Sequence, residues 1–169
     1  VDGSCAITTP NAGGLGVEGP NGVRRCGAAS SSTVAWGGEP DRAIDGNPDG
    51  HFYAGSSCTH TDAPGSSSVP GNHFNWWQVD LGSSYEIQSV NIYHRTDCCQ
   101  DRMLGATVFV SETADYTSGR ACGPIDDFRG DPDETLCHSI VGQYVTVEHV
   151  DFITLCEVEV MATVAQDRA

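Results

Sequence analysis

Two arginines, Arg95 and Arg102, flank an aspartate and two adjacent cysteines in the run Arg95-Thr96-Asp97-Cys98-Cys99-Gln100-Asp101-Arg102. The chain carries 8 basic residues, all arginine, against 23 acidic ones, so guanidinium forks supply all of its side-chain cation chemistry apart from histidine. A planar fork spans two oxygens at once, in a carboxylate or equally in a pair of neighbouring hydroxyls. Consecutive α-carbons sit about 3.8 Å apart, below the usual disulfide span of roughly 4.4–6.8 Å, so joining Cys98 to Cys99 closes a strained ring. Two arrangements stay open on spacing alone: a flat apolar knob between two polar arms, or two cysteines that each pair elsewhere.

A second constellation is rich in oxygen: Asp45, Asn47 and Ser56 or Ser57 in the first half, Cys156 and Glu157 near the end. Hard cations such as Ca²⁺ take about 6–8 oxygens from carboxylates, amides and backbone carbonyls. Taken alone, Asp45-Gly46-Asn47 reads as a turn in which Asp45 bonds its own backbone. The acidic run Asp126, Asp127, Asp131, Asp133 and Glu134 lacks the ordered spacing of an EF-hand loop and reads as a solvated acidic loop. No Gly-x-Ser-x-Gly elbow, His-Glu-x-x-His pair or redox Cys-x-x-Cys occurs, and Asp45, Asp97 and Glu157, as candidates for a glycosidase carboxylate pair, would be spoken for by arginine or a cation. The chain is expected not to be an enzyme.

Strand-like segments must position these groups. Trp76–Leu81, Ser89–Tyr93, Ala106–Val110, Tyr144–Glu148 and Ile153–Val160 are β-branched and aromatic, with partial alternation, and turn residues bound them. No amphipathic helix stands out. The expected fold is all-β, a disulfide-stapled antiparallel β-sandwich of jelly-roll type, with function on the long loops around 59–75 and 111–137. Residues 1–28 form a Gly-, Pro- and Asn-rich arm with Cys5 and Cys26 at its ends, where a bridge would restrain it; 29–162 form the domain and 163–169 a tail.

The formal charge of −15 argues against nucleic acid, whose polyphosphate needs a basic face, and disfavours anionic lipid. Eight cysteines in a chain that starts at Val1 without an apolar leader suggest a secreted, extracellular protein, and no apolar run is long enough to span a membrane. No Asn-x-Ser/Thr glycosylation site is present.

Five blocks occur in order: Ala43-Ile44-Asp45-Gly46-Asn47, Cys58-Thr59-His60, Trp76-Trp77-Gln78-Val79-Asp80-Leu81-Gly82, Arg95-x-Asp97-Cys98-Cys99 with Arg102, and Leu155-Cys156-Glu157-Val158-Glu159-Val160. Together they resemble the F-type lectin (fucolectin) family over about residues 28–162. The resemblance implies a jelly-roll sandwich binding terminal L-fucose through His60, Arg95 and Arg102. Phe52 and Tyr53 would stand as an apolar wall toward the methyl group, and a Cys98–Cys99 disulfide would lie flat against the ring. Asp97 would orient an arginine, since an ionised carboxylate only accepts. Trp36, in the first loop, could extend the wall, and His51 and His73 are rivals for the imidazole role.

The same resemblance implies Cys58–Cys156 and Cys122–Cys137 bridges and a calcium ion held by Asp45, Glu157, a serine (Ser56 or Ser57) and the carbonyls of Arg42, Asn47 and Cys156. An insertion in Asp62–His73 lengthens the interval between His60 and Arg95. Fucosylated glycans are the implied partners, with attachment to cell surfaces requiring several copies in an oligomer. Recognition of microbes and adhesion between gametes are both carried by lectins of this kind. The competing expectation is a discoidin-like phospholipid or cell-surface adhesion module.

Overall fold

The computed structural model describes residues 7–8, 23–24, 28–63, 73–130 and 132–164. Cys5, Cys26 and most of the Asp62–His73 insertion lie outside them. The strands are β1 (Ile7–Thr8), β2 (Val23–Arg24), β3 (Ala28–Ser31), β4 (Asn75–His94), β5 (Thr107–Ser111), β6 (Arg120–Pro124), β7 (Asp133–His149) and β8 (Leu155–Val164). Two of the expected short strands, Trp76–Leu81 and Ser89–Tyr93, are halves of the single 20-residue strand β4. Strands β3 and β6 and the first part of β7 also occupy segments that the sequence pattern reads as loop.

Strands β4 and β7 form one long antiparallel ribbon, whose register breaks between Asp80 and Tyr85. Before the break β4 pairs with β3 and with the end of β7, which in turn pairs with β5 and, through it, β6; after the break β4 pairs with β8. The ribbon thus belongs to both layers of a sandwich and folds over at its middle. Its open ends, Asn75 with His149 and Ile92 with Asp133, come back to one end of the molecule. Two short arm strands extend an edge, with β1 parallel to β8 and β2 antiparallel to β1, so the arm is not wholly loop.

Alternating inward residues make the core: Trp77, Val79, Ile87, Val90 and Ile92 from β4, Val108 and Val110 from β5, Val145 and Val147 from β7, and Val158 and Val160 from β8. Burying each such side chain contributes about 1.5–3 kcal/mol. The Trp77 indole N–H donates to the Pro40 carbonyl at 3.0 Å, so the largest core residue carries no unpaired donor and pins the 3₁₀ turn Pro40–Ile44.

One short helix departs from the all-strand expectation. Phe52–Gly55 makes a single α-turn, capped by His51, whose Nδ1 accepts from the Ala54 N–H at 3.1 Å. Among the described residues no helix is long and apolar enough to cross a membrane.

Candidate functional site

Four connections meet at the open end of the ribbon: the stretch from β3 to β4 that contains the helix and His60, the β4–β5 loop with Arg95 and Arg102, the β6–β7 loop, and the β7–β8 turn. Backbone bonds tie them together. The Thr61 N–H donates to the Ile153 carbonyl at 3.1 Å, the Thr96 N–H to Gly50 at 2.7 Å, and the Ala35 N–H to His60 at 2.8 Å. Two glycines permit the close approach. A Cβ on Gly38 would lie 2.3 Å from the His60 backbone nitrogen, and one on Gly50 would lie 2.6 Å from the Thr96 side chain.

Arg95 is buried and held by Asp97, with Nε donating to Oδ1 at 2.6 Å and Nη2 to Oδ2 at 3.3 Å. Its guanidinium lies 4.6 Å from the centre of the Phe52 ring and 5.3 Å from that of Tyr53. The Arg95 bond, helped by backbone N–H groups of Tyr53 and Phe52, lowers the Asp97 pKa to about 2. Asp97 therefore stays ionised and orients Arg95.

Arg102 approaches from the other side. Its Nη1 is 3.3 Å from His60 Nε2, and its guanidinium lies 5.0 Å from the centre of the Phe152 ring. A guanidinium has no acceptor, so Nε2 must accept. His60 Nδ1 is 2.6 Å from the Thr61 carbonyl oxygen and must donate. His60 is thus neutral with its proton on Nδ1. Burial, and then the charges of Arg102 and Arg95, lower its pKa from 6.5.

The apolar groups divide. Tyr53 is 72% exposed and is available as a wall, whereas Phe52 is 4% exposed. Phe52 therefore corrects the sequence expectation: it packs with Cys58, Cys156 and Tyr93 and lies beneath Arg95 as a floor. Cys98 and Cys99 are joined to each other, and Cys99 is exposed. Trp36 is also exposed, with φ of +55°. Phe152 is a site residue that sequence reasoning does not find; its ring meets that of His60 edge-on, at 5.6 Å between ring centres, and lies against Arg102. Its only local signal is an aromatic residue in the short β7–β8 turn. His51 caps the helix and lies 3.6 Å from Asp97, while His73 is exposed on the approach to β4.

The oxygen-rich cluster lies beside the Cys58–Cys156 disulfide. Glu157 is 3% exposed, and its Oε2 accepts from the Gly46 N–H at 3.0 Å. Burial foremost, then the nearby Asp45 and Glu159 charges, raise its pKa from 4.5 to about 8. Asp45 is raised by burial too, with one oxygen accepting from the Asn47 N–H at 2.8 Å. Two carboxylates that resist ionisation side by side are a donor set suited to a hard cation. Among the described residues no group of three or more His, Cys, Asp or Glu gathers at one point, so carbonyls and hydroxyls would have to supply the other oxygens.

Arg42 turns its side chain to the Cys58 carbonyl at 3.4 Å, which leaves its own carbonyl as its only candidate ligand. Ser56 is one of the two serines that the sequence leaves open. It is exposed at the end of the helix with φ of +49°, whereas Ser57 is buried with its hydroxyl donating to the Asp49 carbonyl.

The third disulfide joins Cys122 to Cys137. The acidic loop within it is not wholly solvated: Asp133 is buried, 3.9 Å from His94, and burial together with Asp126 and Asp127 raises its pKa.

Residues 42–147 match a family model of the F5/F8 type C class, described as a NedA-like, galactose-binding domain. Fucolectin-1 of Anguilla japonica is 37% identical over 147 residues, covering 80% of this chain and 78% of the relative. Fucolectin-6 of the same eel is 38% identical over 124 residues, 71% of this chain, and the match spans only 61% of that relative's length. Among solved structures, a fucolectin from the serum of Morone saxatilis (striped bass) superposes with a TM-score of 0.72 at 30% identity, over 84% of this chain and 48% of that one.

Proposed function

Because this chain belongs to the fucolectin (F-type lectin) family, a family of lectins and not of enzymes, we propose that it is a secreted lectin that binds terminal L-fucose on glycans. The observation that carries the reading is the convergence of two cationic forks, each fixed by a neighbour: neutral His60 accepts at Nε2 from Arg102 Nη1, 3.3 Å away, while Asp97 holds Arg95 alongside. A deoxy sugar offers that arrangement a polar edge of hydroxyls and ring oxygen. Its methyl side needs an apolar surface, and the exposed Tyr53 and the Cys98–Cys99 bridge supply one.

Calcium would be held by Asp45 and Glu157 with Ser57 and backbone carbonyls, and its chemistry there is neutralisation of two buried carboxylates. Secretion is supported by the disulfides and by a relative found in serum. A terminal monosaccharide should bind between roughly mM and µM, so tight attachment to a cell surface needs several copies acting together.

Titration calorimetry with L-fucose and D-galactose tests the reading. Saturable fucose binding with galactose at least about tenfold weaker is expected, a difference of about 1.4 kcal/mol. Equal affinity for the two would overturn the role of the apolar wall, and the absence of fucose binding would overturn the site.

A further inference from the structure

The β5–β6 connection leaves the sheet beside Ser111, at the end away from the fucose loops, and folds back over the sheet's outer face. Two side-chain bonds hold it down. Gln78 Nε2 donates to the Ala114 carbonyl at 3.0 Å, and the Tyr116 hydroxyl donates to Glu148 Oε2 at 2.7 Å. Tyr116 also packs on Phe109, at 5.6 Å between ring centres. Between this connection and Trp76 lies a recess of about 180 Å³, lined by Trp76, Gln78, Ala114, Asp115 and Tyr116. It shares no residue with the fucose site. We propose that the recess binds a primary alkylammonium ion, of the kind that ends a lysine side chain.

What the recess offers a guest is mainly acceptors and aromatic faces. Gln78 is 7% exposed, and its Nε2 also donates to Thr146 Oγ1 at 2.8 Å. A carbonyl only accepts, so the Ala114 contact fixes which end of the amide is nitrogen. Oε1 is left without a hydrogen-bond partner among the described residues, and unlike the sealed polar atoms of His149 and Thr154 it is not cut off from solvent. Asp115 engages Oδ1 with the Thr117 N–H and hydroxyl, which leaves its Oδ2 open. The Tyr116 hydroxyl is already engaged, so the Trp76 indole N–H is the one donor that the lining side chains retain.

The charge points the same way. Asp115 and Glu148 are both acidic, and among the described residues neither forms an ion pair and no guanidinium lies over the Trp76 or Tyr116 ring. A sugar hydroxyl needs donors as well as acceptors and would leave that charge unbalanced. An ammonium brings three donors, no acceptor and one positive charge, and the faces of Trp and Tyr attract it. It is compact, and its donors diverge toward acceptors on different elements, here Gln78 of β4 and Asp115 of the connection. The volume suits the end of a side chain, since sites for whole small ligands run from about 300 to 1,000 Å³. All 8 basic residues of the chain are arginine, so an ammonium on a lysine must come from another molecule.

NMR of ¹⁵N-labelled protein tests this by following the Trp76 indole N–H, identified by its loss in Trp76→Phe. The probes are Nα-acetyl-lysine methylamide, its Nε-acetylated form and methyl α-D-glucoside. The lysine derivative should shift the signal saturably with a Kd of about 1–10 mM, at least about fivefold tighter than the neutral acetylated form, and the glucoside should leave it in place. Raising NaCl from about 50 to about 500 mM should weaken lysine binding about twofold or more. Asp115→Asn keeps a capping oxygen for Thr117, and Glu148→Gln keeps an acceptor for Tyr116. Each should weaken lysine binding about two- to fivefold and leave L-fucose affinity unchanged. Saturable shifts with the glucoside and none with the lysine derivative would make the recess a sugar site and overturn the proposal. Equal affinity for the two lysine forms would overturn it too, as would wild-type affinity in the paired Asp115→Asn/Glu148→Gln variant. L-Fucose binding is read separately, so failure here leaves the fucose reading standing.

Discussion

The imidazole of His60 is clamped between Arg102 Nη1, 3.3 Å from Nε2, and the Thr61 carbonyl oxygen, 2.6 Å from Nδ1. Both contacts demand the same neutral tautomer. A proton added at Nε2 would point at the guanidinium and remove the neutral ring acceptor from the cluster. His60 is already pushed below 6.5 by burial and by the two arginines, so fucose affinity should be flat from about pH 8 to 6.5 and fall at lower pH. The stability that comes from a neutral His60 follows the same sign: it is present above 6.5 and lost as pH falls through the lower folded value. Calorimetry across this range checks it, and a midpoint of loss above 6.5 would contradict the assigned tautomer.

Asp97 makes Arg95 a fixed arm. Asp97→Asn keeps the shape but weakens both bonds to the guanidinium, and charged hydrogen bonds are worth about 1.5–3 kcal/mol each. Fucose affinity should drop about tenfold or more, and Arg95→Ala should remove measurable binding, with the melting curve still cooperative in both. Asp97 is held near a pKa of about 2, so its contribution to folding is present above 3.8 and is lost only as pH falls toward 2. Unchanged binding by Arg95→Ala would remove Arg95 from the site.

Glu157 would tie the proposed calcium ion to pH. Its carboxyl prefers the neutral form, with a pKa raised from 4.5 to about 8, so the metal-free fold is most favoured below 4.5 and loses stability as pH rises toward 8. A tenfold change in proton affinity between the folded and unfolded chain is worth about 1.4 kcal/mol. A divalent cation reverses the preference. The melting-temperature gap between calcium-loaded and EDTA-treated protein should therefore widen between about pH 5 and 8, to several degrees at the upper end. A gap that stays at zero, in protein shown by elemental analysis to be metal-free after EDTA, would count against this site. Glu157→Gln should narrow the gap and raise metal-free stability.

Gly38 is where the backbone of the first loop touches that of His60. Any Cβ there meets the His60 nitrogen at 2.3 Å, so Gly38→Ala must push the loop or the histidine aside. A loss of about 1–3 kcal/mol in stability is expected, with fucose affinity falling further than in Gly82→Ala, a substitution at the far end of the sandwich. Denaturant melts combined with calorimetry separate the two effects, and a Gly38→Ala variant with wild-type fucose affinity would mean that His60 tolerates displacement.

The strands, the turn-rich segments and the spacing of Arg95, Asp97, Cys98, Cys99 and Arg102 are legible in the chain because each depends on neighbours in sequence: alternation for a half-buried strand, and a short covalent tether for the loop. The same locality explains the errors. Phe52 and Tyr53 are adjacent aromatics, yet one is floor and the other surface, because a single turn of helix sends them in different directions and the Cys58–Cys156 bridge fills the space beneath only one. Ser56 and Ser57 differ in the same way. Phe152 touches His60 from 92 positions away, through a β7–β8 turn that reaches the site only because the β4–β7 ribbon folds back on itself. The proton on His60 is likewise outside the reach of sequence, since it is assigned by a guanidinium and a carbonyl whose distances exist only once the loops have closed. Residue types and spacing determined which chemistry this chain can do; burial and long-range closure decided which side chains face the ligand, because both are set by atoms brought together from distant parts of the chain.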